Sequence, residues 1–430
     1  MRSNSDEVSI LSNTRITPHH CLRRSLSSGR SLSLQGEIQL AKLKFGILPN
    51  HLSIQKHIKY RNNINRRTII NTTKKTPIDL ACEMCDTVIS QYTVDKLPGP
   101  PDRFNYIQGV FLLGMERCYA VCKKEEYLDY IRSWVDYMIE EDGTIKLQQE
   151  LLDDFMPAVL LIRLYRETGC KKYKTALDST IDRIRRYPKN RYGGFFHKEI
   201  TPDQMWLDGL FMAGILLTSY AAAYDAPEFF DEMHHQAMLM RDHIRDPETH
   251  LYYHAWDAEN TQEWANPATG TSSIFWGRAM GWVSVALCEM LDCFPESHPG
   301  RADLLDMLKD LLENAAKYQD SEKGLWYQVV NEPDREGNWC ETSCSSLFAY
   351  SYHKAVRKGY IDKEYSKVAD KAFEGIKNII RFTDEGIVIP EISVGTNVMC
   401  TYEEYIARPR IENDNHGTGT FVLMCSEFAL

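Results

Sequence analysis

From residue 77 onward, apolar positions recur at the spacing of one helix face. Ile78, Cys82, Cys85 and Ile89 follow the i, i+4, i+7 register of an amphipathic helix. The same period returns near 104–123, 125–140, 150–168, 170–187, 203–224, 228–245, 274–294, 301–318, 341–358, 362–380 and 415–428, so twelve helices are predicted. Every second helix is followed by a short stretch that mixes glycine with aromatic or β-branched residues. Asp142-Gly143-Thr144-Ile145, Gly193-Gly194-Phe195-Phe196-His197, Tyr252-Tyr253-His254-Ala255-Trp256, Gly324-Leu325-Trp326-Tyr327 and Gly386-Ile387-Val388 are the examples. They recur at roughly 50–75 residues, the mark of an internal structural repeat. No stretch reads as a long series of strands. Helical hairpins that each leave an apolar face uncovered can close into a ring, so the pattern predicts an all-α (α/α)6 barrel with loops at one end lining a central cavity. An open helical solenoid is the other arrangement the pattern allows.

Composition changes this picture at one end of the chain. The 430 residues carry a net charge of −10, yet residues 1–76 hold 14 Lys+Arg against 3 Asp+Glu, a net of +11 that leaves −21 for 77–430. Residues 1–76 are rich in Ser, Asn and Arg and show no sustained period. They are expected to be a disordered basic extension, with 77–430 a single domain. A nucleic-acid partner is not expected, because the acidic body would repel phosphate. No apolar run approaches the roughly 18 residues of a membrane helix, and no secretory signal pattern opens the sequence. A cytoplasmic enzyme with no membrane partner is the expectation. The twelve cysteines are scattered. Cys82 and Cys85 have metal-ligand spacing and Cys118 and Cys122 lie one helical turn apart, but no second pair follows at the distance of a zinc module, so free thiols and no metal are expected.

The chemistry concentrates in a few segments. In Phe196-His197-Lys198-Glu199-Ile200-Thr201-Pro202-Asp203-Gln204-Met205-Trp206-Leu207-Asp208, Thr201 reads as an N-cap, Pro202 as the first helical residue and Gln204 as the return partner of a capping box. Asp208 would then fall in the second turn, among Met205, Phe211 and Met212. A carboxylate on an apolar face is expected to have its pKa raised toward neutrality, as a general acid requires; the alternative is an ordinary carboxylate pointing into solvent. His197 and Lys198 could bind an anion beside it or form a surface pair. In Phe275-Trp276-Gly277-Arg278-Ala279-Met280-Gly281-Trp282, Arg278 and Trp282 share a helix face. A guanidinium among indoles suits a sugar acid, by stacking and a bidentate bond, and equally suits a buried cation–π pair. Gly277 and Gly281 suggest a close approach to the backbone. Asp153-Asp154 could cap the next helix. Asn338 to Ser343 and Asn413 to Gly419 are polar loops entering helices that could line a cavity mouth or simply be caps, and no Lys-Ser/Thr follows these glycines as a phosphate loop would need.

Together these segments resemble glycoside hydrolase family 105, the unsaturated rhamnogalacturonyl hydrolases, from about residue 80 onward. Gly194 to Lys198 with Gln204 to Gly209, then Phe275 to Trp282, then Gly324 to Gln328 with Asn338 to Ser343, look like that family's signatures in order. The resemblance implies an (α/α)6 barrel that needs no metal or organic cofactor and takes an unsaturated acidic oligosaccharide. It implies Asp208 as catalytic acid/base and Asp153 as a second active-site aspartate that raises Asp208 by proximity. Asn105, Tyr106, His197, Lys198, His254, Trp276, Arg278 and Trp282 match its substrate-binding positions. Ala158, Cys340, Cys344, Thr271 and Ile274 depart from the family pattern, and Thr271 and Ile274 put fine substrate preference in doubt. The implied reaction is hydration of a C4=C5 double bond in a terminal Δ4,5-unsaturated galacturonic acid. The rival readings are an unsaturated glucuronyl hydrolase of family 88, a ulvan-fragment hydrolase, and a non-catalytic sugar-binding toroid. The oligomeric state is not legible.

Overall fold

The computed structural model describes residues 75–146 and 151–430; the basic extension 1–76, but for its last two residues, lies outside them. All twelve predicted helices are present among the described residues. They are α1 (Pro77–Gln91), α2 (Tyr106–Cys122), α3 (Glu125–Met138), α4 (Val159–Thr168), α5 (Lys171–Arg185), α6 (Asp208–Tyr224), α7 (Glu228–Ile244), α8 (Gly277–Cys293), α9 (Arg301–Ala315), α10 (Thr342–Arg357), α11 (Ser366–Ile379) and, after the short α12 (Tyr402–Ile406), α13 (Asn415–Glu427). The sequence pattern did not anticipate α12. No described helix is long and apolar enough to cross a membrane.

Contacts between helices close a ring. α2 packs on the short turns before α4, α4 on α6, α6 on α8, α8 on α10, α10 on α13, and α13 back on α2. Each inner helix carries one outer partner: α3, α5, α7, α9 and α11 in chain order, while α1 covers α13. This is the (α/α)6 barrel, and its seam joins the first hairpin to the last helix. The two layers differ in sequence as burial demands. Inner helices such as α6 are buried almost all round, from Asp208 through Thr218, whereas outer helices such as α11 bury one stripe, Ala369, Ala372, Phe373 and Ile376. At the seam the backbones nearly touch: a Cβ on Gly419 of α13 would sit 2.7 Å from the Phe111 amide nitrogen of α2, so no larger residue fits there.

One local expectation is corrected. The helix that carries Asp208 begins at Asp208 itself, not at Pro202. Thr201 closes a turn onto the Lys198 carbonyl instead of capping, and Asp203 is left-handed, with φ of 64°. Gln204–Trp206 (β1) pairs antiparallel with Ala255–Asp257 (β2). Gln204 spends its side-chain oxygen on the Trp206 indole N–H. A pairing with residues fifty positions away outweighs a local capping signal. The close approach inferred at Gly277 and Gly281 is that of α10: a Cβ on Gly281 would sit 2.9 Å from Leu347.

Two to three turns along from the starts of α2, α8 and α10 lies a buried ionic network. Glu289 of α8 takes Lys354 and the Tyr350 hydroxyl from α10, and Arg117 from α2 at 2.9 Å; Lys354 also reaches Asp292 at 2.9 Å. Burial alone would raise the Glu289 carboxyl, but the Lys354 and Arg117 charges outweigh it and bring it down to about 2. Removing Lys354 leaves the mostly buried Glu289 to Arg117, which is itself 41% exposed, and Asp292 to Lys358. Lys354→Met is expected to cost about 3–5 kcal/mol of unfolding free energy, read as a lowered denaturant midpoint at unchanged slope. An unchanged midpoint would show that the network carries no such weight.

Candidate active site

The inner helices all begin at the same end of the barrel, and their first turns bring together most of the residues that sequence singled out. Asp208 is the first residue of α6. Tyr106 opens α2 behind Asn105, whose side chain caps that helix. Arg278 is the second residue of α8, Ser343 the second of α10 and His416 the second of α13. Asp153 lies in the 3-10 turn Leu152–Asp154 that precedes α4.

Two carboxylate–histidine pairs form the centre. The His254 Nε2 approaches Asp208 Oδ2 at 3.5 Å, and the His197 Nε2 approaches Asp153 Oδ1 at 3.4 Å. The Trp206 indole lies between the imidazoles, stacked on His197 at 4.3 Å and edge-on to His254 at 5.6 Å. Trp276 covers His254 from another side at 4.5 Å, its N–H held by Gln328. Lys198 sits over the Trp206 ring at 4.6 Å and bonds Asn397. Tyr405 bonds His254 Nδ1 at 2.7 Å. With that hydroxyl donating, Nε2 keeps its hydrogen and points it toward Asp208. Three buried polar atoms here lack a well-formed hydrogen bond: Asp208 Oδ2 and His254 Nε2, which face each other at a long 3.5 Å, and His197 Nδ1. Unsatisfied buried polar groups are costly, and their convergence marks a place built to receive polar atoms from elsewhere.

The two aspartates differ in proton affinity, and in the reverse sense to the expectation. Burial would raise Asp208, but the N–H that His254 turns toward it, with the electrostatics of the two imidazoles, outweighs burial and holds the carboxyl below the usual range. Burial pushes Asp153 up to about 7, with Asp208 and Asp154 adding to the rise against Lys198 and Arg103. It is therefore Asp208 that raises Asp153. Burial also lowers His197 to about 3, leaving it neutral. The physical reason is the number of partners: Asp208 faces two imidazoles at a helix N-terminus, and Asp153 has one neutral imidazole and two acidic neighbours.

A relay of three groups stands beside them. Asp414 accepts from His416 Nδ1 at 2.5 Å, and His416 Nε2 accepts from the Tyr106 hydroxyl at 2.7 Å. The charges of Asp153, Arg278 and Asp208 all bear on that hydroxyl, which burial raises well above its ordinary value.

Other expected residues are employed in the walls. Asn105 donates to Asp154 at 2.8 Å, and Asp154 also takes Arg103. Arg278 is 1% exposed. It donates to Ser343 at 2.7 Å, to Glu341 at 3.2 Å and to the Ser393 and Val394 carbonyls. Trp282 is fully buried, its ring against Phe211 at 4.5 Å. Glu341 and the His416–Asp414 pair come from the two polar loops that sequence offered as cavity-mouth linings without a role, and Tyr405 was missed: 151 residues separate it from His254, and no local pattern links them. Cys344 packs under Gly277. A groove of about 680 Å³, lined by Tyr192, His243, Trp256 and Thr271, runs along neighbouring loops and contains neither Asp153 nor Asp208.

Residues 80–429 match the model of the family described as Glycosyl Hydrolase Family 88. The unsaturated rhamnogalacturonyl hydrolase YesR of Bacillus subtilis (strain 168) is 27% identical over 317 residues, 72% of this chain and 85% of that protein. Among solved structures, a family 105 glycoside hydrolase of C. acetobutylicum ATCC 824 aligns with a TM-score of 0.77 at 33% identity, covering 81% of this chain and 98% of that one. An unsaturated glucuronyl hydrolase from Bacillus sp. GL1 shares the fold at 15% identity and a TM-score of 0.60, covering 81% of this chain and 95% of that one.

Proposed function

The chain belongs to glycoside hydrolase family 105 and matches the family 88 model along its length, and from that premise we propose that it releases a Δ4,5-unsaturated galacturonic acid from the non-reducing end of rhamnogalacturonan-derived oligosaccharides. It is a hydrolase of the unsaturated uronyl type, and the finer substrate assignment rests on the similarity to the B. subtilis rhamnogalacturonyl hydrolase. The observation that carries the chemistry is the convergence of Asp208 Oδ2, His254 Nε2 and His197 Nδ1, buried and without a well-formed hydrogen bond, beside two tryptophans and a lysine.

The C4=C5 bond of such a sugar is an enol ether conjugated to a carboxylate. Asp208 protonates C4, and positive charge develops over C5 and the ring oxygen. A water, deprotonated by the Asp208 carboxylate so formed, adds its oxygen to C5. The resulting hemiketal opens to a C5 ketone, the C1 hemiacetal collapses to an aldehyde, and the aglycone leaves with its hydroxyl proton. One water is consumed and no electron pair is unaccounted for. In the free site the proton resides on Asp153, whose carboxyl is raised to about 7. An arriving uronate adds negative charge and excludes water, both of which raise a neighbouring carboxyl; Asp153 gives up its proton to Asp208, which then becomes the acid. Lys198 and the histidines hold the uronate, and Trp206 and Trp276 give it apolar faces. Arg278, with its donors taken by Glu341 and Ser343, orients the wall from behind.

The test follows the ultraviolet absorbance of the conjugated double bond while the protein acts on lyase-generated disaccharides. Loss of absorbance on unsaturated galacturonyl-rhamnose alone supports the proposal. Loss only on unsaturated glucuronyl disaccharides replaces it with the family 88 activity, and loss on neither with folded protein replaces it with sugar binding alone.

A further inference from the structure

Away from the active site, the fold assembles what the linear sequence keeps apart. Cys82 and Cys85 lie on α1, three residues apart and on one face; Cys118 and Cys122 lie on α2, four apart and likewise on one face. The two helices pack so that these faces meet. Cys82 Sγ and Cys118 Sγ are 3.7 Å apart, and the sulfurs of Cys82, Cys118 and Cys122 all lie within 4.8 Å of one another. Cys85 is fully buried and interacts with Cys118.

We propose that these thiols bind a Zn²⁺ ion that staples α1 to α2, with Cys82, Cys118 and Cys122 as ligands and Cys85 completing the tetrahedron after a side-chain rotation. A tetrahedral zinc with sulfur ligands at about 2.3 Å sets sulfur–sulfur edges of about 3.8 Å, which the Cys82–Cys118 separation already meets. A disulfide needs its sulfurs at about 2.05 Å and joins only two of them, whereas the cluster offers three mutually close sulfurs with a fourth alongside. The position suits a cation: Cys122 is the last residue of α2, where unpaired carbonyls give the helix its negative end. Cys82 and Cys122 are partly exposed, which gives the ion a way in. Each thiol that ligates gives up its proton to solvent, so binding is proton-coupled and strengthens with pH.

The site is independent of the proposed catalysis. Cys118 and Cys122 stand twelve and sixteen residues along α2 from Tyr106, about 18–24 Å at the helical rise. They lie on the hairpin that meets the C-terminal helix, so the ion would fasten the ring at its seam. Its loss is expected to lower Tm and leave kcat unchanged.

The experiment uses the full-length protein, purified under reducing conditions without chelator. Elemental analysis is expected to give one zinc per chain. Anaerobic titration of the metal-free protein with Co²⁺ is expected to produce thiolate-to-cobalt charge-transfer bands and the visible bands of a tetrahedral site, saturating at one equivalent. Cys82→Ser and Cys118→Ser remove those bands, while Cys400→Ser, at an exposed cysteine elsewhere, keeps them. The wild-type cobalt spectrum stands even where a variant fails to fold. Absence of charge-transfer bands with all four thiols free overturns the proposal, and so does a Cys82–Cys118 disulfide found by peptide mapping of the unreduced protein.

Discussion

Asp208→Asn is expected to lower kcat by roughly 10²–10⁴-fold, the range that a positioned general acid supplies, with KM changed far less. The substitution is nearly isosteric. An amide oxygen can still accept from His254, and the place at the head of α6 is kept. What is lost is the proton that C4 must receive and the carboxylate that later takes one from water, so ground-state binding survives while the transition state does not. The fold readout has a sign of its own. Because the Asp208 carboxyl lies below its ordinary value, the ionised group contributes stability above the usual carboxylate pKa, lost as pH falls through the folded value. The amide forfeits that contribution, so at neutral pH Tm falls modestly and does not rise. Turnover within tenfold of wild type would remove Asp208 from the mechanism.

Much of the architecture was legible because it repeats. Twelve amphipathic periods with glycine-led turns after every second one specify hairpins, and hairpins with uncovered faces specify a ring. The boundaries that failed did so where distant pairing wins: Thr201, Pro202 and Gln204 are good capping residues, yet β1 is claimed by β2, and Asp203 turns left-handed to allow it. The site was legible as residue types in motifs, but not as electrostatics. That Asp208 sits low and Asp153 high depends on which imidazole faces which carboxylate. His254 reaches Asp208 only because β2 is laid beside β1, and Tyr405 fixes its tautomer from α12, an element the periodicity did not show. The thiol cluster escaped for the same reason: its two halves are separated by 36 residues and joined by helix packing.

Ring closure also explains why an anionic sugar suits this end of the barrel. Inner helices alternate with outer ones running the opposite way, so all inner helices start at the same end. The first turns of α2, α6, α8, α10 and α13 deliver Tyr106, Asp208, Arg278, Ser343 and His416, and with them the positive ends of their helix dipoles. A carboxylate-bearing substrate enters a field that is favourable before any side chain is counted. Histidines at the same end do this for the protein's own carboxylates: burial alone would raise Asp208 and Asp414, but His254 holds Asp208 below the usual range and His416 brings Asp414 down to about 2.

Asp153→Asn is expected to raise stability at alkaline pH while lowering activity, a combination that Asp208→Asn does not share. The folded pKa of Asp153 is raised from 3.8 to about 7, so between those values the native state holds a proton that the unfolded chain has lost. Native stability therefore falls as pH rises from about 4 to about 7, and above that the penalty is full. That rise corresponds to about 4 kcal/mol, and the side chain is only 13% exposed, so little of this is screened away. The asparagine variant does not titrate. Its Tm is expected to match wild type near pH 4 and to exceed it increasingly up to about pH 8. In wild type, kcat/KM is expected to decline as pH passes about 7, when the free site loses its stored proton; in the variant that decline disappears from an already lowered rate. A Tm difference that is the same at pH 5 and pH 8 would show that Asp153 does not hold the proton, and the store would then have to be sought at the Tyr106–His416–Asp414 relay. Stability given up at a site so that a proton is present when substrate arrives is what a functional carboxyl in a dry pocket predicts, and the paired variants measure it with opposite signs.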